Sequence, residues 1–286
     1  MGKSFERAYY ENADLWSPSK FTGLQEQRAQ TTIDWLPEDV CSVLDVGCGN
    51  GVITNLLPGK NNIDLVFGVD RSYSSLQHVK TMRSQTDAGN LPFRDNQFDA
   101  LISTEVIEHL PYFAYQQVLN EYFRVARRYI LISVPYKEEY ELLKVECPAC
   151  TCSFHRNYHM RTFDHSDLER LFINIAGVRL VRLEGVFPIH RYKFSSSWHA
   201  WKKLRAKLLH LDTNFNNLIC PQCGYTEIQG SLPPNSVTPV GEINSSNGFG
   251  PGRLSDKIWS KLGVWSERFW PKRHSYRWWL ALYRKP

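Results

Sequence analysis

Short apolar runs alternate with amphipathic stretches between residues 40 and 135. Four of these runs predict strands: 42–46, 65–69, 99–103 and 129–134. The segments 72–82 and 111–126 between them have the composition and spacing of helices. Unbroken apolar strands that alternate with helices indicate a parallel sheet covered on both faces. Ligands of such sheets bind beyond the carboxyl ends of the strands.

The flanking regions follow the same pattern less regularly. Residues 26–35 predict an N-terminal helix that ends before Pro37. Beyond residue 135, we expect a helix over 167–176, with Ser166 as its N-cap and Gly177 as its stop. The last two predicted strands are residues 178–183, which alternate in polarity, and the aromatic segment 276–283.

The composition is that of a globular protein, with 42% hydrophobic and 22% charged residues in 286. No run of about 18 apolar residues occurs, so we expect no membrane-spanning helix. The start of the chain lacks the pattern of a secretory signal. The chain contains seven cysteines, which is an odd number. Cysteines in such a chain favour a reducing compartment and metal binding, so we expect a cytoplasmic protein.

The segment 45–51 reads Asp-Val-Gly-Cys-Gly-Asn-Gly and follows the first predicted strand. A phosphate loop would need Lys-Ser/Thr after its last glycine, and a dinucleotide-binding loop would need glycine at Val52. Asp45 would repel a pyrophosphate but suits a ligand with an ammonium group and a sulfonium. Asp70, at the end of the second strand, can accept hydrogen bonds from ribose, and Asp87 lies where an adenine edge could be read.

Four segments, 43–51, 68–70, 87–93 and 98–111, resemble in order the class I S-adenosylmethionine-dependent methyltransferases. The resemblance implies an α/β fold: a Rossmann-like, doubly wound, mostly parallel seven-stranded sheet, here with zinc-binding insertions. It implies S-adenosylmethionine as cofactor and methyl transfer as activity. The cofactor-binding residues that it implies are Asp45, Gly47, Cys48, Gly49, Gly51, Asp70, Arg71, Asp87, Ala88, Thr104 and Glu105.

The order of these elements and motifs predicts a division of the chain. We expect residues 1–40 to form an N-terminal helical cap and 41–189 the cofactor-binding core, with a first zinc knuckle inserted at 145–162. We expect residues 190–272 to be an insertion with a second knuckle and basic aromatic helices, and 273–286 to hold the final core strand.

Methyl transfer is an in-line displacement at an activated carbon, so alignment supplies most of the acceleration. A hydroxyl acceptor also needs a base, and the candidates are His109, His155, His159 and Glu105, with Glu108 as a further carboxylate. In the related quinone-pathway O-methyltransferases, a Glu-x-x-Glu/Asp-His run similar to 105–109 is associated with a metal ion. The alternative is that Glu108 and His109 only cap and orient the following helix.

Two Cys-Pro-x-Cys units place Cys147, Cys150, Cys220 and Cys223 in turns of the zinc-ribbon type. Two such turns form a closed tetrahedral site, so we expect a structural Zn²⁺. A redox-active pair is the alternative. Three nearby residues, Cys152, His155 and His159, are spare ligands, and Cys41 and Cys48 are expected to be buried or loop thiols.

The acceptor is the least determined feature. Aromatic and basic residues share the segments 198–211 and 258–270, which predict helices that either pack on the core or lie at a membrane surface. Inserted elements and Tyr9, Tyr10 and Trp16 are expected to select the acceptor.

Four functions follow from these patterns. The leading prediction is O-methylation of a sugar, glycan or secondary-metabolite intermediate. The first alternative is a lipid-linked or quinone-like acceptor, reached through peripheral membrane contact. The others are an RNA or protein methyltransferase and a non-catalytic, zinc-stabilised binding protein on a degenerate fold. The absence of a long basic run, at a net charge of only +5, argues against a nucleic-acid partner. The sequence does not determine the oligomeric state.

Overall fold

The computed structural model describes residues 9–17, 23–60, 62–175, 177–192, 218–226 and 272–286. Seven strands form its central sheet: β1 (Ser42–Val46), β2 (Leu65–Asp70), β3 (Met82–Gln85), β4 (Phe98–Thr104), β5 (Ala126–Pro135), β8 (Arg179–Tyr192) and β9 (Lys272–Arg284). Their order is β3-β2-β1-β4-β5-β9-β8. Strands β1 to β5 are parallel, whereas β9 is antiparallel to both of its neighbours. The predicted α/β class with a mostly parallel seven-stranded sheet is confirmed.

The helices are α1 (Gly23–Asp34), α2 (Tyr73–Leu76), α3 (Tyr112–Val125) and α4 (His165–Glu169). The apolar positions of α3 recur every three or four residues and are buried, which fixes the face that packs on the sheet. Two short strands, β6 (Lys144–Glu146) and β7 (Ser153–His155), form a separate hairpin after β5. Within the described residues, none of the helices combines the length and apolar character needed to cross a bilayer.

Two hydrophobic clusters cover the two faces of the sheet. In β4, Leu101 belongs to the cluster that contains α3, whereas its neighbour Ile102 packs with Ala29 and Ile33 of α1. Successive side chains of a strand point to opposite faces, so burial of both neighbours requires cover on both sides. The sheet is therefore doubly wound, and its strand ends meet along one edge.

Two predicted helices differ in the structure. The prediction over 72–82 was wrong, because α2 ends at Leu76 and Met82 begins β3. Strand β3 lies at the edge of the sheet and is mostly exposed, so its sequence lacks an apolar pattern. The prediction over 167–176 was also wrong: α4 begins at His165, and its N-cap is Asp164 rather than Ser166. Asp164 and Asp167 form a capping box there.

The two C-terminal strands are longer than predicted, since β8 continues to Tyr192 and β9 begins at Lys272. The four-part domain division stays a prediction. The basic aromatic segments 198–211 and 258–270 lie outside the described residues.

Candidate functional site

A cavity of about 420 Å³ opens where β1, β2 and β4 end. The strand ends, the glycine loop and the first turn of α3 form its walls. Ten of the eleven predicted cofactor residues line it: Asp45, Gly47, Cys48, Gly49, Asp70, Arg71, Asp87, Ala88, Thr104 and Glu105. The eleventh, Gly51, is the last residue of the glycine loop and does not line the cavity. Among the predicted catalytic residues, Glu105 and His109 also line the cavity, whereas His155 and His159 do not.

The glycine loop adopts backbone conformations that residues with a side chain rarely adopt. Gly47, Gly49 and Gly51 have φ values of 73°, 54° and 81°. A Cβ atom on Gly47 would lie 2.2 Å from Cγ2 of Val106. The Gly47 N–H donates to the Val69 carbonyl at 2.8 Å, which ties the loop to the end of β2. The loop is thus held close to the cavity with its backbone exposed to a ligand.

Asp70 connects the loop to the second strand. Its carboxylate accepts hydrogen bonds from the Gly49 and Ser72 N–H groups, both at 2.8 Å and each on a different oxygen. Burial raises the pKa of Asp70, and these two hydrogen bonds oppose the rise. An ionised carboxylate offers about four acceptor positions, so lone pairs remain for a ligand.

Asp45 lies at the base of the cavity and is 2% exposed. Burial raises its pKa to about 7, although the Thr54 hydroxyl donates to it at 2.6 Å. Arg28 of α1 lies near enough to lower that pKa. A raised pKa at the wall of a cavity is typical of a carboxyl that meets a charged ligand.

Glu105 closes the end of β4 with a left-handed backbone, at φ 56°. The indole N–H of Trp278 donates to its carboxylate at 2.9 Å, and the Arg28 guanidinium lies 3.8 Å away. Burial raises the pKa of Glu105. A non-glycine residue held in this conformation costs on the order of 1–3 kcal/mol, and such residues cluster at functional sites.

His109 faces the same end of the cavity. Its Nδ1 atom lies 3.2 Å from the Tyr10 hydroxyl. Burial lowers the pKa of His109 to about 3, so the ring is neutral at physiological pH. His159 lies behind it, with ring centroids 4.7 Å apart, and His155 stacks on His159 at the same spacing. Burial also lowers the pKa of His155, to about 4.

Some cavity residues lie outside the motifs found in the sequence. Arg28 and Thr86 line the cavity, although neither belongs to one of those motifs. Arg28 occupies an ordinary helix position, and only the packing of α1 over the strand ends brings it to the site. Tyr10 and Trp16, predicted to select the acceptor, also line the cavity.

The four predicted zinc cysteines converge. The Sγ atoms of Cys147 and Cys223 are 3.7 Å apart, and those of Cys150 and Cys220 are 3.5 Å apart. These distances exceed the roughly 2.05 Å of a disulfide. Four thiolates at about 2.3 Å from a tetrahedral Zn²⁺ would be separated by about 3.8 Å, so the cysteines fit that ion.

The two cysteine turns share one backbone pattern. The carbonyl of Cys147 accepts from Thr151 N–H, and that of Cys220 accepts from Gly224 N–H, both at 2.9 Å. Thr151 and Gly224 both have positive φ. The Tyr158 hydroxyl donates to the Ile219 carbonyl at 2.9 Å, which joins the second turn to the segment after β7.

Comparison with known proteins identifies the central region. Residues 44–129 match the family model described as "methyltransferase domain". An uncharacterized protein of Methanocaldococcus jannaschii is 30% identical over 134 residues, which cover 46% of this chain. The match spans 56% of that relative's length.

Two solved structures are similar in fold. A S-adenosylmethionine-dependent methyltransferase from Archaeoglobus fulgidus aligns with a TM-score of 0.51 at 14% identity, over 92% of this chain and 94% of that one. The 4+2 cyclase SpnF aligns with a TM-score of 0.50 at 15% identity, over 91% and 81%. Because one fold hosts different reactions, these likenesses describe architecture only.

The matched residues 44–129 include the glycine loop and strands β2, β3 and β4. Residues 44–129 thus match the methyltransferase-domain family model, within a sheet that has the fold of the Archaeoglobus fulgidus methyltransferase.

Proposed function

We propose that this protein transfers a methyl group from S-adenosylmethionine to an acceptor hydroxyl. The observation that carries the proposal is the cavity, which joins the glycine loop, Asp45 and Asp70 at one end to Glu105 and His109 at the other. The glycine loop, Asp45 and Asp70 suit an adenosyl ligand that carries an ammonium group and a sulfonium. Glu105 and His109 offer polar side chains where an acceptor would meet the methyl group.

Groups that follow three strands would hold the cofactor. The lone pairs of Asp70 that the loop leaves free would accept hydrogen bonds from the ribose hydroxyls. Asp87 accepts a hydrogen bond from the Gly89 N–H on one oxygen at 2.7 Å, and its second oxygen and Ala88 would contact the adenine. The loop backbone from Gly47 to Gly49 would contact the methionine portion.

The two charged ends of the methionine portion find opposite charges. The ammonium group of a bound S-adenosylmethionine would pair with Asp45, and its carboxylate would pair with Arg28, which lines the same cavity. Arg28 also lies 4.9 Å over the Trp278 ring, which holds its guanidinium at the cavity. An ammonium group within hydrogen-bond distance favours ionised Asp45, which burial alone disfavours.

The acceptor end combines polar and apolar groups. Glu105 and His109 provide the polar side chains, and the uncharged ring of His109 could accept a hydrogen bond from an acceptor hydroxyl. His155 and His159 act on the acceptor only through His109, because they lie behind it. A sugar, glycan or secondary-metabolite intermediate is the acceptor that we propose.

A specific observation favours the lipid-linked or quinone-like acceptor as a second candidate. The side chain of Phe113 lines the cavity mouth and is 88% exposed, and its neighbour Tyr112 is 76% exposed. Exposed adjacent aromatics beside a cavity suit an apolar ligand or a membrane surface. Cytoplasmic location with peripheral membrane contact is the corresponding proposal for localisation.

We also propose that Cys147, Cys150, Cys220 and Cys223 hold a structural Zn²⁺. Four protein ligands leave no open position for chemistry. A bound ion would join the β6–β7 hairpin to residues 218–226. Tyr158, after the hairpin, packs on Tyr9, the neighbour of cavity-lining Tyr10, with ring centroids 4.7 Å apart.

Calorimetric titration with S-adenosylmethionine and with its demethylated product tests the proposal. We expect both to bind, and we expect radiolabelled methyl to be transferred to hydroxyl compounds among sugars, glycans, quinols and polyprenyl lipids. Labelling of RNA or protein instead would overturn the acceptor class. Binding of neither cofactor form would favour the non-catalytic alternative.

A further inference from the structure

One tyrosine contacts three parts of the molecule that are far apart in sequence. Tyr158 follows the β6–β7 hairpin, and its side chain contacts both the turn that carries the last two cysteines and the N-terminal segment. We propose that Tyr158 is a positioning residue, which transmits the metal-bound state of the four-cysteine site to Tyr10 and His109 in the cavity.

The hydroxyl of Tyr158 fixes the second cysteine turn. It donates to the Ile219 carbonyl at 2.9 Å and accepts from the Ile219 N–H at 3.1 Å. Ile219 immediately precedes Cys220, one of the four proposed ligands. The ring of Phe154 stacks on that of Tyr158, with centroids 5.8 Å apart, and packs against the hydrophobic cluster of the cysteines. A change in the position of this turn therefore reaches the Tyr158 hydroxyl directly.

The backbone of Tyr158 has a conformation that bulky residues rarely adopt. Its φ is 59°, and only 7% of the residue is exposed. Its N–H donates to the His155 carbonyl at 2.8 Å. Non-glycine residues with such φ values persist only where the surrounding contacts determine them, and they cluster at functional sites. The position of Tyr158 is therefore set by its contacts and not by local backbone preference.

The ring of Tyr158 holds the N-terminal segment at the cavity. Tyr9 packs on it with ring centroids 4.7 Å apart, and Tyr10 packs edge-on against Tyr9 at 5.2 Å. The Tyr10 carbonyl accepts from the Trp16 indole N–H at 2.6 Å and from the Ser72 hydroxyl at 2.7 Å. Both Tyr10 and Trp16 line the cavity, so displacement of the Tyr158 ring would move two aromatic side chains of its wall.

Tyr158 also contacts His109 without an intermediate. Burial lowers the pKa of His109, and a hydrogen bond from its ring to the Tyr158 backbone opposes that effect. The Tyr10 hydroxyl lies 3.2 Å from Nδ1 of the same ring. His109 is therefore oriented by two groups that both depend on Tyr158. Chains of packed side chains and hydrogen bonds of this kind carry energetic coupling between sites.

Metal in the four-cysteine site should therefore strengthen cofactor binding in the cavity. With the metal bound, residue 219 is held in place for Tyr158, and Tyr158 holds Tyr10 at the cavity wall. Because coupling between two ligands is reciprocal, the cofactor should strengthen metal binding by the same factor. The effect on S-adenosylmethionine rests on the proposed function, whereas the effect on residues 9–16 does not.

Hydrogen exchange of residues 9–16 tests the transmission without the cofactor. In this segment, the N–H groups of Asn12 and Leu15 form backbone hydrogen bonds. We expect removal of Zn²⁺ from the wild-type chain by a chelator to speed their exchange about tenfold or more. In Tyr158→Phe, which keeps the ring but loses both bonds to residue 219, exchange should not depend on the metal. No change in the wild-type chain, or an equal change in Tyr158→Phe, would overturn the proposal.

Two further variants separate transmission from damage to the metal site. Tyr140→Phe is the matched control, because it removes a hydroxyl from a ring that stacks on His155, and it should retain the wild-type dependence on the metal. Tyr9→Leu breaks the chain of contacts away from the cysteines and should remove the dependence. The thiolate charge-transfer absorption of the Co²⁺-loaded protein should persist in all three variants. A metal dependence that persists in Tyr9→Leu would contradict the proposal even if Tyr158→Phe lost its metal.

Calorimetry with the demethylated product of S-adenosylmethionine tests the effect on the cavity. We expect the metal-loaded wild-type chain to bind it about 5–150-fold more tightly than the metal-free chain. The two forms of Tyr158→Phe should bind it equally. Equal affinities of the two wild-type forms would overturn the proposal. Binding by neither form, with hydrogen exchange still dependent on the metal, would overturn the proposed function alone.

Discussion

At the scale of single residues, the site depends on a few positions that allow no other side chain. Gly47 combines a positive φ with a close approach to Val106, so both its backbone and its missing Cβ are used. Asp45 combines burial with a position on the cavity wall. The requirement at Gly47 is steric, and the requirement at Asp45 is electrostatic. The two residues are therefore tested by different measurements.

Substitution of Gly47 by alanine should abolish detectable cofactor binding or weaken it at least tenfold. The new Cβ would clash with Val106, and alanine at positive φ adds on the order of 1–2 kcal/mol of strain. Gly59→Ala is the matched control, because a Cβ there would have nothing within 4 Å. Calorimetry and thermal unfolding of both variants give the comparison. Equal cofactor affinity in the two variants would refute the role of the loop.

Cofactor affinity should depend on pH through Asp45. The ammonium group of the ligand favours ionised Asp45, whose pKa without ligand is about 7. Affinity should therefore rise with pH and level off above about 7, and binding near neutral pH should release a proton. Asp45→Asn should remove this rise. Titrations in buffers of different ionisation enthalpy measure the proton count.

The same carboxyl affects the stability of the free protein. The folded pKa of about 7 lies above the value near 3.9 of an unfolded aspartate. The folded state therefore binds the extra proton between these values, and the free energy of unfolding falls as pH rises from about 4 to about 7. Denaturant unfolding should show a flatter profile over this range for Asp45→Asn. An unchanged slope would contradict the raised pKa.

At the scale of elements, α3 organises the loop that carries Asp87. Near the C-terminal end of this helix, Arg124 donates to the carbonyls of Leu91 and Phe93, at 2.9 and 2.6 Å. It also contacts both carboxylate oxygens of Glu121, at 2.6 and 2.8 Å. The guanidinium thus connects the helix to the segment between β3 and β4, which carries Asp87.

Replacement of Arg124 by lysine should destabilise the protein by about 1–3 kcal/mol, because an ammonium group cannot satisfy the carbonyls and the carboxylate together. Arg170→Lys is the control, since exposed Arg170 makes one side-chain contact, to Ser166, and should change stability by less than about 0.5 kcal/mol. Urea unfolding measures both. Similar losses of unfolding free energy in the two variants would show that the hydrogen bonds of Arg124 contribute no more to stability than an exposed contact.

At the scale of the whole molecule, the cysteine site joins parts of the chain that are far apart in sequence. Cys150 and Cys220 are separated by 70 positions, and β8 of the central sheet lies between them. The paired turns pack with Val145 and Leu218 in a small hydrophobic cluster of their own. A cluster of this size contributes little burial, so the proposed ion would provide much of its stability.

Removal of one zinc ligand should therefore weaken this whole region. Cys223→Ser should lose the thiolate absorption of the Co²⁺-loaded protein and lower its melting temperature. Cys152→Ser should keep both, because Cys152 lies next to the site but outside the group of four. Loss of the absorption in Cys152→Ser would show that the ligand set differs from the one proposed.

The parallel strands β1, β2, β4 and β5 of the sheet were predicted correctly because the residues that determine each of them are neighbours in the sequence. Ten of the eleven residues predicted to bind the cofactor line one cavity, and their binding role stays a prediction. Prediction failed for β3 and for the start of α4. The exposed edge strand carries no periodic signal, and in the capped turn the side chain of Asp164, not Ser166, makes the decisive hydrogen bond.

The sequence by itself determined the glycine loop, the acidic strand ends and the pairing of cysteines into two turns. These features depend on short-range geometry, which residue types and spacing encode directly. Tertiary structure alone decided that Arg28 reaches the cavity, that His109 faces it, and that His159 lies behind His109. Those contacts depend on how distant elements pack, and local spacing carries no information about such packing.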